Sequence, residues 1–284
     1  MAGADVQILE YTDPGCPWAF SAEPSRRRID WLYGERIEWK TAMVVLAKSP
    51  DEYEEKGFTP ERQADAFRKM TRDHGMPIDT RERPRMSATE PACRAVVATR
   101  LNRPGRERQL LRCLRVHHFM GGLLDEAETI TNAAVDAEID PTQLQRWMNS
   151  DEVTDALEAD MAEAREPMPA ARMLDDKLAN WSGGRRYTCP SYEISRVSDG
   201  VRIAIPGFQP FPVYDTILAN LVPNLERRDP AESVSEVLRW AGTPLASKEV
   251  AVVCDIGKEE AREELGRVAE ERQVGSDGFW TLTS

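Results

Sequence analysis

The sequence predicts an α/β fold that is interrupted by a long helical insertion and followed by a small unit of three helices and a β-hairpin. A strand–turn–helix–strand pattern occupies residues 1–50, and apolar residues recur at helical spacing over residues 51–182. Runs of β-prone residues return over residues 183–228, and the pattern changes once more over residues 229–284. These four ranges are the predicted domain organisation.

Composition and charge narrow the classes of protein that need to be considered. The chain has 284 residues, of which 41% are hydrophobic and 30% charged, with a formal net charge of −12 and five cysteines. That charge disfavours binding to nucleic acid or to anionic membranes. No apolar run is long enough to cross a membrane, and the N-terminal residues lack the pattern of an export signal. We therefore expect a cytoplasmic protein without nucleic-acid or membrane partners.

Residues 1–50 are predicted to form a strand, a helix and a second strand. The first strand begins at Val6 and breaks at Asp13-Pro14-Gly15. A helical pattern follows and ends near Gly34, and residues 36–47 form the second strand. A unit of this length implies a parallel pair of strands with a right-handed crossover.

Cys16 is the residue around which the predicted site is organised. It is followed by Pro17, and proline is favoured at the first helical position, so Cys16 is the expected N-cap. The unpaired N–H groups at a helix start favour a thiolate and lower the pKa of the thiol. The alternative is a buried structural cysteine that happens to precede a proline.

The middle of the chain is predicted to be helical and the following part to return to strands. Within the insertion, helices are expected at about residues 60–74, 88–102, 105–120, 125–137, 141–149 and 151–165. A strand is then predicted at 185–195, a turn at 198–200, a strand at 201–206 and a helix at 211–222.

The segment Asp13-Pro14-Gly15-Cys16-Pro17-Trp18 resembles the active-site entry of the DsbA-like branch of thioredoxin-fold proteins. That branch contains FrnE-type oxidoreductases and 2-hydroxychromene-2-carboxylate isomerases, and its oxidoreductases normally have Cys-Pro-Trp-Cys. The resemblance covers about residues 5–228 in topology. It implies a thioredoxin-like α/β fold with an all-helical insertion. Here Ala19 stands in the fourth position, so the resolving thiol is missing from its usual place.

The same resemblance gives a role to Thr188-Cys189-Pro190, which occupies the place of the cis-proline that faces the active-site cysteine in this fold. Pro190 is therefore expected to be cis, and Cys189 to lie opposite Cys16. A cysteine in that place could form a disulfide with Cys16 or share a mixed disulfide with a small thiol. It could equally be a small apolar filler.

Other residues near the motif are candidates for contacting substrate. Asp13 could accept a proton or simply cap the turn. Trp18 and Tyr192 could line an apolar groove beside the thiol, or they could pack in the core. By resemblance, Pro17 and Thr188 border the bound substrate. No metal site is expected, because no Cys-x-x-Cys spacing exists and the adjacent pair His117-His118 points in different directions on a helix.

The C-terminal unit is predicted to contain helices at 231–241, 247–254 and 258–272 and a hairpin at 275–282, an order that resembles a winged helix. Residues 229–284 carry 12 acidic and 6 basic residues, a net charge of −6. DNA binding needs cations that neutralise phosphates, so a role in packing or dimerisation is the better expectation.

These observations favour a thiol–disulfide oxidoreductase with a single active cysteine, Cys16, resolved by a low-molecular-weight thiol or by Cys189. No tightly bound cofactor is expected. The substrate would be a small thiol or a protein disulfide, and a homodimer is conceivable. Two alternatives stay open. One is a glutathione-like-thiol-dependent isomerase or transferase, implied by the resemblance. The other is a non-catalytic thioredoxin-fold adaptor that binds other proteins.

Overall fold

The first strand–helix–strand unit matches the prediction except that its helix is broken in two. The computed structural model describes residues 3–275 and 277–283. Its first elements are β1 (Val6–Thr12), α1 (Pro17–Ser21), α2 (Glu23–Tyr33) and β2 (Ile37–Met43). The break falls at Ala22, because Pro24 has no N–H to donate to the carbonyl of Phe20 one turn earlier.

The insertion is helical, as predicted, but it contains two short helices and a hairpin that the sequence did not indicate. Its helices are α3 (Pro50–Glu55), α4 (Pro60–His74), α5 (Glu90–Asn102), α6 (Glu107–Phe119), α7 (Ala127–Asp136), α8 (Pro141–Met148), α9 (Asp151–Ala164) and α10 (Pro169–Arg172). Helices α3 and α10 and the hairpin of β3 (Leu178–Trp181) with β4 (Gly184–Tyr187) were not predicted. The strand expected over 185–195 is therefore two strands, separated at Thr188–Pro190.

The chain then completes the main sheet with β5 (Ser191–Arg196) and β6 (Arg202–Ile205), followed by α11 (Phe211–Leu221). The strand order is β2-β1-β5-β6. Strand β1 runs parallel to β2 and antiparallel to β5, and β6 pairs antiparallel with β5. This is the predicted thioredoxin-like α/β sheet with a helical insertion.

The C-terminal unit consists of α12 (Val234–Ala241), β7 (Leu245–Ala246), α13 (Ser247–Cys254), α14 (Lys258–Val268), β8 (Ala269–Val274) and β9 (Asp277–Leu282). Its sheet has the order β7-β9-β8. The helix predicted over 258–272 is too long, because residues from Ala269 onward pair with β9 and this pairing overrides their helical preference. Ser276, within the predicted hairpin, lies outside the described residues. The likeness to a winged helix stays a prediction.

The C-terminal unit shares its hydrophobic core with the main sheet. One cluster of buried residues joins the sheet strands to α2, α11 and the C-terminal helices, and it includes Ile29, Leu32, Leu238 and Val250. Trp31 of α2 meets Trp240 of α12 edge to face, with ring centroids 5.2 Å apart. Helix α2 is therefore covered on one side by the sheet and on another by the C-terminal unit.

A buried group of ion pairs links the sheet to the insertion. Arg115 of α6 is fully buried and binds Glu23 of α2, and its Nη2 lies 3.2 Å from Glu10 of β1. Arg26 also binds Glu10, at 3.0 Å. Burial opposes ionisation of Glu23, but the surrounding arginines outweigh it and hold the pKa of this carboxyl far below its usual range. The Glu23 carboxylate therefore stays charged and depends on its cations.

Among the residues that the structure describes, no helix combines the length and the apolar composition that crossing a bilayer requires.

Replacing Arg115 with methionine should destabilise the fold strongly. Arg115→Met removes one of the two arginines that bind the buried carboxylates of Glu10 and Glu23, the other being Arg26. Breaking a buried pair in this way typically costs about 3–5 kcal/mol. Urea unfolding at pH 7 measures the difference. The control is Arg81→Met, which removes an exposed arginine paired with Asp79 and should leave the unfolding midpoint unchanged. Equal midpoints for the two variants would contradict this account of the network.

Candidate thiol site

Cys16 lies at the start of α1, at the end of the turn that follows β1. Its backbone N–H donates to the carbonyl of Asp13 at 3.2 Å, and Pro17 occupies the first turn of the helix. Gly15 packs so closely against α5 that a Cβ there would lie 2.8 Å from Cγ2 of Thr89. The turn therefore requires glycine at this position, and it fixes Cys16 at the helix start. The Cys16 side chain is 5% exposed.

Asp13 holds this turn in place and does not face a substrate. The residue is fully buried, and Oδ1 accepts the N–H of Gly15 at 2.7 Å. Oδ2 accepts the N–H of Leu46 at 2.8 Å and the hydroxyl of Thr89 at 2.7 Å. The thiol of Cys93 also donates to Oδ2, at 3.4 Å. Because both oxygens are used inside the protein, the expectation that Asp13 binds substrate is wrong, and the alternative of a turn cap is the one observed.

The structure brings Cys16 and Cys189 together. The thiol of Cys16 donates to the backbone carbonyl of Cys189, with 3.1 Å between sulfur and oxygen. The peptide bond between Cys189 and Pro190 is cis, and both residues are buried. The two cysteines are free thiols, and Cys189 is 7% exposed. They belong to one buried cluster, together with Ala19.

The pKa of Cys16 is below the ordinary value for a cysteine thiol, and the pKa of Cys189 is above it. Burial opposes ionisation of Cys16, but the neighbouring Cys189 side chain and the nearby backbone N–H groups of Ala19 and Trp18 lower its pKa. These N–H groups act through their proximity, since none completes a cap hydrogen bond to the sulfur. Burial and the neighbouring Cys16 raise the pKa of Cys189. Cys16 is therefore the thiol that ionises first, and Cys189 is the one that keeps its proton.

Three aromatic side chains form a partly exposed rim beside the helix start. Trp18 is 44% exposed and lies edge to face against His74, with centroids 5.0 Å apart. Phe208 contacts both rings, at 5.6 Å from Trp18 and 4.9 Å from His74. Burial lowers the pKa of His74, so this ring is neutral at pH 7. We call Trp18, His74 and Phe208 the aromatic rim.

The other predicted substrate-binding residues divide into two groups. Pro17 and Thr188 are partly exposed beside the two cysteines, and Thr188 donates its hydroxyl to the carbonyl of Lys177 at 2.9 Å. Tyr192 is instead 2% exposed and packs in the core against Trp39 and Tyr214. It cannot line a groove beside the thiol. Side chains alternate along β5, and Tyr192 is on the face that is turned into the main core.

Sequence reasoning missed Tyr53 of the short helix α3. Burial raises the pKa of the Tyr53 phenol well above its usual value, and the electrostatic influence of Asp13, Cys16 and Cys189 adds to this effect. The phenol therefore lies within electrostatic range of both thiols, although the residue as a whole keeps some exposure. The aromatic rim partners His74 and Phe208 were missed as well. No local motif marks these residues, because they meet Cys16 only through the fold.

Metal binding finds no support at the thiols or at the histidine pair. His117 binds Asp136, while His118 is buried against the carbonyl of Gly122. Within residues 3–275 and 277–283, no group of three or more potential metal-binding side chains comes together.

Comparison with known families now identifies the chain. The family model described as "Thioredoxin" matches residues 9–169, which is more than half of the sequence and includes the Cys16 turn. The chain belongs to the thioredoxin family.

One curated relative of this thioredoxin-family protein is the ClpXP adapter protein SpxH of Halalkalibacterium halodurans. The two are 26% identical over 274 residues, which cover 93% of this chain and 82% of the relative. This match includes most of the C-terminal unit.

The solved structures that resemble the chain share its fold at low identity. A provisionally assigned protein disulfide isomerase from Nitrosomonas europaea has a TM-score of 0.56 and 18% identity, with 76% of this chain and 98% of that one covered. The cytosolic disulfide reductase DsbM from Pseudomonas aeruginosa has a TM-score of 0.53 and 11% identity, with coverage of 75% and 97%. A second DsbM structure, with GSH, has a TM-score of 0.50, 13% identity and coverage of 75% and 98%. The DsbA-like fold is therefore confirmed.

Alkylation of Cys16 should depend on pH in a way that reveals its partner. Because the pKa of Cys16 is lowered, its labelling by iodoacetamide should reach its plateau below the ordinary cysteine pKa of about 8.5 and fall only at lower pH. Cys189→Ala removes the neighbouring side chain that lowers the pKa of Cys16, so the labelling curve should move to higher pH. Mass spectrometry of the peptide containing Cys16 gives the curve.

The control for this experiment is Cys113→Ala, which removes a thiol on α6 and should leave the curve unchanged. A wild-type midpoint at or above 8.5 would show that the helix start does not activate Cys16. Coincident curves for wild type and Cys189→Ala would show that the two thiols do not interact.

Proposed function

We propose that this protein catalyses thiol–disulfide exchange, with Cys16 as the nucleophile. The observation that carries the proposal is the contact of the Cys16 thiol with the Cys189 carbonyl at the cis peptide. The Cys16 sulfur lies 3.1 Å from the Cys189 carbonyl and has a lowered pKa, while Cys189 keeps its proton. A thiolate is the reactive form of cysteine, and a thiol of lowered pKa is also a better leaving group when small thiols finally release it from a disulfide.

The reaction proceeds in two balanced exchanges. The Cys16 thiolate attacks one sulfur of a substrate disulfide, forms a mixed disulfide and releases the other substrate sulfur as a thiolate. A second thiol then attacks the Cys16 sulfur and releases the remaining substrate sulfur. Ala19 cannot supply that thiol, and its side chain is fully buried. Either Cys189 or a low-molecular-weight thiol takes this second step and is left in a disulfide with Cys16. Small thiols then reduce that disulfide, which releases the Cys16 thiolate, and leave as a disulfide of their own.

The aromatic rim is proposed to hold the substrate. It exposes Trp18 next to the helix start, while Pro17 and Thr188 border the thiols. Because Cys16 and Cys189 are only 5% and 7% exposed, attack on a bulky disulfide requires a covering group to move. Tyr53 is the candidate for that group, since it lies near both sulfurs on a helix of six residues. A cytoplasmic location and a homodimer stay predictions.

Oxidised glutathione provides the test. Wild-type protein should form a mixed disulfide that turns over when reduced glutathione is added. Cys16→Ser should form no adduct, because a hydroxyl is a poor nucleophile without a base. Cys189→Ala should accumulate the adduct on Cys16 if Cys189 is the resolving thiol. Intact-mass spectrometry measures each species, and Cys113→Ala is the matched control. An adduct that forms equally well in Cys16→Ser would overturn the proposal.

A second candidate function is that of a protein-binding adapter. It is favoured by one observation, the match to a ClpXP adapter protein over 93% of this chain, which extends beyond the thioredoxin-like part. In this function the aromatic rim and the C-terminal unit bind proteins and Cys16 is not needed for chemistry. The resemblance-based isomerase alternative has no comparable observation in its favour.

A binding measurement with purified ClpXP tests the adapter function independently of the oxidoreductase function. If the protein is an adapter, immobilised full-length chain should bind purified ClpXP, and Cys16→Ser should bind with unchanged affinity because the hydroxyl preserves the shape of the site. Surface plasmon resonance gives both affinities. Absence of binding by the wild-type chain would remove the adapter function, whatever the outcome with glutathione.

A further inference from the structure

A cavity of about 770 Å³ lies where the thioredoxin-like part, the helical insertion and the C-terminal unit meet. Its walls are α2, α6, the end of α7 with Glu138 just after it, the segment between α12 and β7, and strands β8 and β9. Six arginines and four carboxylates line it. The surface of this cavity is thus basic, although the whole chain carries a charge of −12.

Three of these six arginines, Arg26, Arg27 and Arg112, belong to a buried network of ion pairs in the wall of the cavity. Arg112 of α6 and Arg27 of α2 share a single carboxylate, that of the fully buried Glu249. Arg112 is itself 7% exposed, and its Nη1 has no hydrogen-bond partner among the described residues. Together with the ion pairs of Arg26 and Arg115, this network sets four guanidinium groups against three carboxylates. An unbalanced buried charge is unfavourable unless an anion lies nearby.

Two further arginines present their charge to the cavity itself. Arg108 binds Asp30 at 2.8 Å, yet burial and the neighbouring guanidinium groups of Arg26 and Arg27 lower its pKa. Its side chain is 29% exposed, so its N–H groups can be reached from the cavity. Arg272 of β8 is exposed and forms no ion pair with any residue that the structure describes.

The remaining wall is partly apolar. Val116, Pro244 and Phe279 lie on it beside the arginines. A volume of this size falls in the range of small-molecule sites, and arginine forks match the geometry of phosphate oxygens. A ligand with an organic body and a charged phosphate end would satisfy both parts of the wall.

We infer that this cavity binds a small organic phosphate carrying at least two negative charges. The phosphate oxygens accept hydrogen bonds from Arg108 and Arg272 and offset the excess charge of the network behind them. The organic part contacts Val116, Pro244 and Phe279. This site is separate from the thiol pair, and its occupation does not depend on the chemistry of Cys16.

Isothermal titration calorimetry of the full-length chain tests the inference, with ADP as the probe at constant ionic strength and pH 7. ADP should bind with one site per chain. Arg272→Gln and Arg108→Gln should each weaken binding by about tenfold or more, the loss expected for one charge-assisted contact. Pyrophosphate should bind more weakly than ADP because it lacks the organic body.

Arg72→Gln is the matched control, since it removes an equal charge from an exposed position on α4 and should leave ADP binding unchanged. Arg272→Gln keeps the test decisive if Arg108→Gln fails to fold, because Arg272 is exposed and unpaired among the described residues. Absence of ADP and pyrophosphate binding, or binding that Arg272→Gln does not weaken, overturns the inference. Tighter binding of citrate or of a hexaglutamate peptide at the same residues also overturns it, in favour of a carboxylate ligand.

Discussion

The buried carboxylate of Asp13 is the constraint on which the thiol site depends. Its two oxygens accept hydrogen bonds from the turn after β1, from the segment after β2 and from Thr89 at the start of α5. A buried carboxylate is tolerated only when such partners satisfy it. The hydrogen bonds therefore fix three segments of chain relative to one another, and the position of Cys16 follows from that arrangement. The same carboxylate explains how the insertion is anchored to the sheet beside the thiol.

Much of the fold could be predicted from the sequence because its signals are local. Hydrophobic periodicity placed most insertion helices within two residues of their observed ends, and Cys16-Pro17 marked the start of α1. Predictions failed where a distant partner decided the structure. Residues after Val268 have a helical composition but pair with β9, and nothing local distinguishes the two outcomes. Pro24 is a local signal for the break at Ala22. It was not decisive, because proline is common in the first turn of any helix and Pro17 already occupies that place in α1.

For the site, the sequence motif identified the thiols and little else. Cys189 was placed by topology, and its contact with Cys16 agrees with that placement. Asp13 and Tyr192 were assigned to substrate because of their position in the sequence, whereas burial gives them structural roles. Tyr53, His74 and Phe208 come from separate elements and could not be connected to Cys16 without coordinates. Long-range contacts of this kind leave no periodic or motif signal.

The position of α2 has a consequence for how this architecture can change over evolutionary time. The helix directly follows α1, and it packs on the sheet while also meeting α12 and α13 of the C-terminal unit. Arg28 of α2 further binds the carbonyl of Val252 and the carboxylate of Asp255. A C-terminal unit joined in this way cannot be gained, lost or exchanged as an independent module, because its departure would expose the apolar side of the helix next to the thiol. Helix α2 and the C-terminal unit must therefore change together. A substitution on the side of α2 that faces this unit requires a compensating substitution in the unit.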